Sequence, residues 1–145
     1  MFLRTSTGII DCRVEKQGQR ITTTIVSKDV EFIVEDEVKF IVVVEKRGML
    51  HTLVHAKLWE HLPFIIVSTG GNPDVTVRRF VNKLANLTTA PVVAFTDWDV
   101  SGFSIMSIFR FGTIAMAYDC ARLTTPRMKW LGLRSVHVAE YVVRI

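Results

Sequence analysis

Apolar residues follow two different patterns along this chain, and the change comes near residue 39. Before that point, β-branched runs at residues 8–15, 21–26 and 31–34 are separated by turn-rich pieces. Runs of this kind predict short strands. We therefore expect residues 1–38 to form a β-rich N-terminal extension, a hairpin or small antiparallel element that leads into a main sheet.

From residue 39 onward, short apolar runs alternate with stretches of helical spacing. Strands are predicted at residues 40–44, 64–67, 91–95 and, as a fourth short strand, 113–117. Helices are predicted after residue 44, after Pro73 with Asp74 as the cap, and over residues 103–109. Alternation of strands and helices implies a parallel sheet with right-handed crossovers.

These patterns predict an α/β fold whose central, mostly parallel four-stranded sheet has helices on both faces. The corresponding domain would span residues 39–133. Within it, residues 123–133 are expected to be loop and short helix. Residues 134–145 would form a C-terminal tail, in which residues 136–145 are a possible added strand.

Composition narrows the class of protein. The 145 residues suit one domain, and a hydrophobic content of 49% fits strands that are buried on both faces. No apolar run approaches the roughly 20 residues that span a membrane, and the start does not resemble a secretory leader. Two distant cysteines, Cys12 and Cys120, are typical of a reducing intracellular compartment. A net charge of +4 permits a nucleic-acid partner without requiring one.

Three acidic residues follow predicted strands directly. Glu45 ends the first run of the sheet, and Asp97 and Asp99 follow the run at residues 92–95. Parallel strands bring such residues to one edge of the sheet, where α/β proteins bind their ligands. Carboxylates that lie close together repel one another and favour a hard divalent cation. The sequence therefore predicts an Mg²⁺ site, with Mn²⁺ as a possible substitute, and phosphate chemistry.

Other interpretations of these acids stay open. Glu45 is also a residue that favours the start of a helix, and Asp97 and Asp99 are also typical of a capped turn. Lys46 is placed to neutralise the acids. An apolar strand that ends in Asp-x-Asp is further typical of phosphotransferases that form an aspartyl-phosphate, with Asp97 as nucleophile and Asp99 as general acid.

Longer motifs surround these acids. They are Val-Val-Glu45-Lys-Arg-Gly, Ser-Thr-Gly70-Gly-Asn-Pro73-Asp74, Asp97-Trp-Asp99-Val-Ser-Gly102 and Lys129-Trp130-Leu-Gly132. Together they resemble the topoisomerase–primase (Toprim) domain of topoisomerase VI A subunits and of their relatives, the meiotic DNA double-strand-break proteins. The Gly-x-Pro-Asp and Lys-Trp-Leu-Gly pieces are the most specific, because a strand-end Glu with Asp-x-Asp occurs in all Toprim proteins.

The resemblance implies a Toprim fold and a share in tyrosine-mediated cleavage of double-stranded DNA. Glu45, Asp97 and Asp99 would be the Mg²⁺ ligands. The full-length protein would act as a homodimer, as a topoisomerase with a separate ATPase B-type subunit or as an initiator of meiotic recombination. An intracellular location is implied, nuclear if the source is eukaryotic, and no membrane partner is expected.

The chain also departs from the family pattern. Val100 and Ser101 stand where the family usually has proline after the second Asp, which is expected to loosen the turn and leave the carboxylates in place. Gly70 stands where the family loop commonly has lysine, which removes one positive charge near DNA. The nucleophilic tyrosine belongs to a winged-helix domain not seen in this sequence, and neither Tyr118 nor Tyr141 has a nucleophile-like setting.

Basic residues near the predicted site are candidates for DNA contact. They are Lys46, Arg78, Arg79 and Lys83, of which the last three lie on the helix that begins beside the Gly-rich loop. Contacts of this kind reach the phosphate backbone and carry no sequence preference. Trp98, between two acids, is a further candidate, whereas Trp130 is expected in the core. The alternative function is a non-catalytic DNA-binding or dimerisation module of the same fold.

Overall fold

The N-terminal part of the chain forms a small antiparallel sheet. The computed structural model describes residues 1–12, 18–35, 37–132 and 134–136. Three strands, β1 (Phe2–Thr5), β2 (Gly8–Asp11) and β3 (Glu31–Ile33), pair in the order β2-β1-β3. The β-rich prediction is correct for β2 and β3, while β1 was not predicted. Residues 13–15 of the first predicted run lie outside the described residues.

The predicted strand at residues 21–26 is wrong. This segment folds into turns, in which the Val26 amide donates to the Thr22 carbonyl (3.4 Å) and the Ser27 amide donates to the Thr24 carbonyl (3.2 Å). The Thr22 hydroxyl also accepts from the Ile25 amide. Threonine side chains can replace strand partners in this way, which the β-branched composition concealed.

The main sheet has the predicted parallel architecture. Its strands are β4 (Phe40–Val44), β5 (Phe64–Ser68), β6 (Val92–Phe95) and β7 (Lys129–Gly132), in the order β5-β4-β6-β7. All neighbours run parallel. Ile41, Val43 and Val44 of the central strand β4 are fully buried, as expected for a strand with neighbours on both sides.

The fourth strand is not where the sequence pattern placed it. Residues 114–119 form a 3-10 helix, Ile114–Asp119, with Ile114 almost fully exposed. The fourth strand is instead β7, within a segment predicted to be loop and short helix. β7 becomes a strand because its backbone pairs with β6, a contact between residues far apart in sequence that local pattern does not reveal.

Four helices connect the strands, of which the first three were predicted. They are α1 (Arg47–His55), α2 (Val75–Leu87), α3 (Val100–Phe111) and the short α4 (Cys120–Leu123). From β4 the chain moves to one side, to β5, and then returns past β4 to β6 and β7. With right-handed crossovers, α1 lies on one face of the sheet and α2 and α3 lie on the other.

The two sheets share one hydrophobic core. Leu3 and Phe32 of the small sheet pack with α2, where the Phe32 and Phe80 rings lie 5.1 Å apart. Leu84 and Phe109 join them from α2 and α3. The boundary predicted near residue 38 therefore separates two sheets that pack on a common core. The possible strand at residues 136–145 lies outside the described residues except for Val136.

One helical stretch among the described residues, Val100–Leu123, is long and apolar enough by length and composition to cross a membrane. It is not one straight helix, since Gly112 has a φ of 83° and Met116 departs from helical geometry. Ile105 and Phe109 pack into the core. Val100, Phe103 and Phe111 of the same helix are exposed.

Candidate functional site

The predicted acids lie at the carboxyl edge of the sheet, where the direction of winding reverses. The connection that leaves β4 runs toward β5, while the one that leaves β6 runs toward β7 on the other side. The neighbouring ends of β4 and β6 therefore flank the topological switch point, the usual ligand crevice of an open α/β sheet. Glu45 follows β4, and Asp97 and Asp99 follow β6.

Glu45 and Asp97 are in direct contact. The Glu45 amide donates to the Phe95 carbonyl (3.2 Å), which extends the pairing of β4 and β6 by one residue. Glu45 Oε2 then accepts a 3.1 Å hydrogen bond from the Asp97 amide. Glu45 is only 8% exposed. Because a buried carboxylate is costly to leave unpartnered, this bond helps to satisfy it.

Asp99 marks the start of α3. Its Oδ1 accepts from the Gly102 amide at 2.7 Å, so it caps the helix. A Cβ at position 102 would clash with the Asp97 carbonyl oxygen, which explains why glycine is needed in this tight reversal. The helix begins at Val100, without the proline that the family usually has there. Asp99 is exposed, and it follows Asp97 by two residues.

Lys46 lies among these acids and forms an ion pair with Asp97. The hydrogen bond to Asp97 raises the pKa of the Lys46 ammonium, and the charges of Glu45 and Asp99 act in the same direction. The side chain remains 64% exposed. Lys46 therefore acts as an internal counter-ion for the acidic edge, and its predicted contact with DNA stays a prediction.

The donor set suits Mg²⁺ in part. Within the described ranges, no group of three His, Cys, Asp or Glu side chains is close enough to hold a metal ion. The structure brings Glu45 and Asp97 together, and it places Asp99 at the cap of α3. Mg²⁺ is commonly held by one or two carboxylates and keeps several waters. Glu45 and Asp97 fit that requirement, while a third protein ligand from Asp99 stays a prediction.

The Gly-rich loop after β5 is tied to the end of β4. The Thr69 amide donates to the Val44 carbonyl and the Gly71 amide donates to the Glu45 carbonyl, both at 2.9 Å. The Thr69 hydroxyl adds a 3.1 Å bond to the same Glu45 oxygen. Gly70 and Gly71 have φ values of 66° and 110°, which only glycine adopts without strain. The guanidinium of Arg47 lies against Gly70, a contact that the sequence motif did not reveal.

The basic residues of α2 do not form a free charged surface. Arg78 is 3% exposed, its Nε donates to the Leu123 carbonyl (3.3 Å), and burial lowers its pKa. Its Nη2 has no partner among the described residues. Burial argues against a phosphate contact by Arg78, whose DNA-binding role stays a prediction.

Arg79 and Lys83 are engaged within the protein as well. Arg79 donates to the buried carboxylate of Asp119 at 2.7 Å, and Arg122 pairs with the other oxygen of that carboxylate. Lys83 Nζ donates to the Ser27 carbonyl at 3.2 Å and lies 4.2 Å from the centre of the Phe32 ring. Burial lowers the pKa of Lys83. These two side chains therefore connect α2 to other parts of the fold.

Aromatic rings lie beside the acidic edge. Trp98, between Asp97 and Asp99, is 48% exposed and stacks on Trp130 of β7, with ring centres 5.1 Å apart and planes at 14°. Phe103 of α3 meets Trp130 edge-on at 6.4 Å. Trp130 was expected in the core, and it is partly buried under Trp98. Trp98 is thus partly exposed while it stacks on Trp130.

Tyr118 lies far from the acids. Asp99 caps the first turn of α3, whereas Tyr118 follows the last turn, in the 3-10 helix. The 12 residues of α3 separate these ends by about 18 Å at 1.5 Å per residue. The Tyr118 hydroxyl contacts the Met116 sulfur at 3.1 Å. Tyr141 lies outside the described residues.

Comparison with known proteins shows which family this chain is similar to. Residues 40–144 match the family of the Toprim domain of topoisomerase 6 A subunits and Spo11. The chain is 35% identical to the A subunit of type 2 DNA topoisomerase 6 of Sulfurisphaera tokodaii over 133 residues, which is 92% of this chain and 34% of that protein. It is 37% identical to the A subunit of DNA topoisomerase 6 of Arabidopsis thaliana, over 75% of this chain and 26% of that protein.

The similarity extends to a meiotic protein. Meiotic recombination protein SPO11-2 of Arabidopsis thaliana is 30% identical over 103 residues, which is 70% of this chain and 27% of that protein. The chain thus spans between about a quarter and a third of the length of these relatives.

Proposed function

The chain belongs to the Toprim-domain family of topoisomerase 6 A subunits and Spo11, and we propose that it holds Mg²⁺ at Glu45 and Asp97 and presents it to the backbone of double-stranded DNA. Asp99 is the third acid of this proposed site. The observation that carries the proposal is the 3.1 Å hydrogen bond from the Asp97 amide to Glu45 Oε2. It joins the ends of two neighbouring parallel strands at the switch point of the sheet.

Each residue of the proposed site has a distinct part. The Asp97 amide orients the Glu45 carboxylate, and Asp99 fixes the first turn of α3. Lys46 balances the acidic charge until a ligand arrives. When bound, Mg²⁺ supplies positive charge that stabilises the charge developing on a phosphate and on its leaving oxygen.

DNA contact is proposed to involve the backbone only. Lys46 is exposed at the acidic edge, and Arg79 retains a partly exposed side chain on α2. Cations on such a surface attract phosphates without reading bases. Lys83 and Arg78 contribute less to this surface, because internal carbonyl groups and burial engage them.

In the full-length protein, we propose, this domain supports double-strand cleavage by a tyrosine that another domain supplies. The relatives named above include topoisomerase subunits and a meiotic recombination protein. Both roles imply an intracellular location, nuclear in a eukaryote. Homodimerisation and an ATPase B-type partner belong to the same proposal.

One observation favours the alternative of a non-catalytic DNA-binding or dimerisation module. Lys46 already neutralises Asp97, and the described residues include no group of three potential ligands around a common point. In such a module the ion pair would replace the metal permanently. The two functions differ in whether the acidic edge binds a divalent cation.

Calorimetric titration with Mg²⁺, and separately with Mn²⁺, tests the proposed function. Wild type should bind, and Glu45→Gln should weaken binding by at least about tenfold, which corresponds to about 1.4 kcal/mol. The matched control is Glu31→Gln, because Glu31 is an exposed carboxylate paired with Arg4 in the small sheet. Equal affinity in wild type and Glu45→Gln, or no binding by wild type, would support the non-catalytic module.

A further inference from the structure

The side chain of Arg47 lies against the backbone of Gly70, which has no side chain of its own. A Cβ built on Gly70 would lie 3.2 Å from Arg47 Nε and 3.7 Å from Nη2, so the guanidinium lies over the glycine backbone. The φ of 66° at Gly70 is a conformation that glycine adopts freely and that other residues adopt at a cost. The absence of a side chain at position 70 therefore lets the Arg47 guanidinium approach the loop backbone closely.

The loop backbone around Gly70 is fixed relative to the acidic edge of the sheet. Hydrogen bonds from Thr69 and Gly71 to the carbonyl oxygens of Val44 and Glu45 hold the loop on both sides of Gly70. Arg47 itself follows Glu45 by two residues and begins α1. The guanidinium thus lies beside a loop whose backbone is hydrogen-bonded to the backbone of Glu45.

Arg47 is exposed and has no acidic partner among the described residues. Four other arginines are engaged within the protein: Arg4 with Glu31, Arg79 and Arg122 with Asp119, and Arg127 with carbonyl groups after α2. A guanidinium that is exposed and has no acidic partner is suited to bind an anion from outside the protein. Its planar fork matches two oxygens of one phosphate.

We propose that Arg47 binds a phosphodiester group of the DNA backbone, next to the phosphate that the acidic edge engages. This inference rests on the proposed function, because DNA must lie over the carboxyl edge of the sheet. It adds a positioning contact on the β5 side of Glu45, opposite to the Asp97 side. Arg47 on the β5 side of Glu45 and Lys46, which pairs with Asp97 on the other side, would together fix the path of the DNA strand across the crevice.

Binding of this chain to a short DNA duplex, measured by fluorescence anisotropy over a series of KCl concentrations with Mg²⁺ present, tests the inference. Arg47→Ala should weaken binding about tenfold, the size expected for a charged hydrogen-bonded contact. It should also lower the slope of log K against log salt by about one unit, as for one lost phosphate contact. Arg47→Lys, which keeps the charge and loses the fork, should recover only part of the affinity.

Arg110→Ala is the matched control. Arg110 is an exposed arginine in the last turn of α3, at the end of the helix away from Asp99. Its replacement should leave the affinity and the salt slope close to those of wild type. Equal effects of Arg47→Ala and Arg110→Ala, or an unchanged salt slope in Arg47→Ala, would overturn the inference.

Gly70→Ala provides an independent test, because its methyl group would force the Arg47 guanidinium to shift by a few tenths of an ångström without removing it. It should weaken DNA binding less than Arg47→Ala does, and the double variant should lose little more than Arg47→Ala alone. If the strain at position 70 prevents folding, Arg47→Ala and Arg47→Lys still decide the question. If the losses of DNA affinity in the two single variants add fully in the double variant, the contact between Arg47 and the loop does not contribute to DNA binding.

The failure of the inference is distinguishable from the failure of the proposed function. If Glu45→Gln loses Mg²⁺ affinity while Arg47→Ala binds DNA like wild type, only the role of Arg47 is wrong. If wild type binds no duplex at all, both are wrong. Arg47→Ala should leave Mg²⁺ affinity and thermal stability close to wild type, which separates a phosphate contact from a folding defect.

Discussion

The Asp97 amide donates a hydrogen bond to the carboxylate of Glu45, although 52 positions separate the two residues in sequence. The bond exists because β4 and β6 are neighbours in the sheet and end at the same level, with Val44 beside Phe95. A carboxylate so oriented has one oxygen engaged by the protein and keeps capacity to accept from a ligand. The chemistry proposed for this chain depends on that remaining capacity.

Lys46→Gln should strengthen Mg²⁺ binding. The ammonium of Lys46 competes with any cation for Asp97, and an exposed ion pair of this kind is weak. We therefore expect Mg²⁺ affinity to rise by about two- to fivefold in a calorimetric titration. Lys57→Gln is the matched control, because Lys57 is equally exposed and pairs with Glu60 after α1. An affinity that stays constant or falls in Lys46→Gln would show that Lys46 and the metal do not compete.

Trp98 should report ligand binding at the acidic edge. Its indole lies between Asp97 and Asp99 in sequence, is partly exposed and stacks on Trp130. Changes in charge or hydration beside it should alter its fluorescence when Mg²⁺ or DNA is added. In Trp98→Phe most of that signal should disappear, while calorimetry still detects Mg²⁺ with unchanged affinity. A full signal in Trp98→Phe would place the binding site away from this residue.

Most of the fold could be predicted, because local β-strand preference and pairing between distant residues agree in three strands of the main sheet. The apolar, β-branched runs of β4, β5 and β6 favour buried strands wherever they pair. The fourth strand shows the limit of that reasoning. Lys129–Gly132 has no such run, and it is a strand because β6 offers a free edge for its backbone. The apolar residues near Ile114 suggested a strand, yet within the described part of the chain no neighbouring strand pairs with them.

The site shows the same division between local and distant causes. The alternation of strands and helices predicted a parallel sheet whose carboxyl edge carries Glu45, Asp97 and Asp99. That β4 and β6 are neighbours in this sheet was seen only in the structure. The partners of the basic residues could not be predicted from the sequence. Arg79 meets Asp119 from 40 positions away, and the burial of Arg78 depends on the chain that returns over α2. Charge on a helix predicts a solvated face only when no later segment covers it.

Asp74→Ala should destabilise the fold by about 1 kcal/mol. Asp74 is the N-cap of α2, and its Oδ1 accepts a 2.8 Å hydrogen bond from the Val77 amide. Alanine would leave that amide without its partner at the start of the helix. Urea denaturation measures the difference in the free energy of unfolding. Asp74→Asn, which keeps an acceptor oxygen, should lie within a few tenths of a kcal/mol of wild type, and a larger loss would assign the effect to charge.

Asp119 should make the stability of the fold depend on acid pH. The hydrogen bond from Arg79 holds the pKa of the Asp119 carboxyl below its usual range, with Arg122 acting in the same direction against the effect of burial. Since the pKa is lower in the folded protein, the unfolded chain takes up the proton first as pH falls. The contribution to stability is therefore complete above the ordinary pKa of about 3.9 and is lost as pH falls through the folded value.

Asp119→Asn should accordingly lower the melting temperature at neutral pH. On acidification, the melting temperature of this variant should fall less than that of wild type. At pH 7 the decrease should be at least about twice that of Glu31→Gln, because Asp119 is buried between two arginines and Glu31 forms one exposed ion pair. Melting temperatures of wild type and Asp119→Asn should converge as pH falls below about 4. Two curves that stay parallel down to about pH 2 would mean that the carboxylate charge of Asp119 is not what connects α2 to the segment around α4.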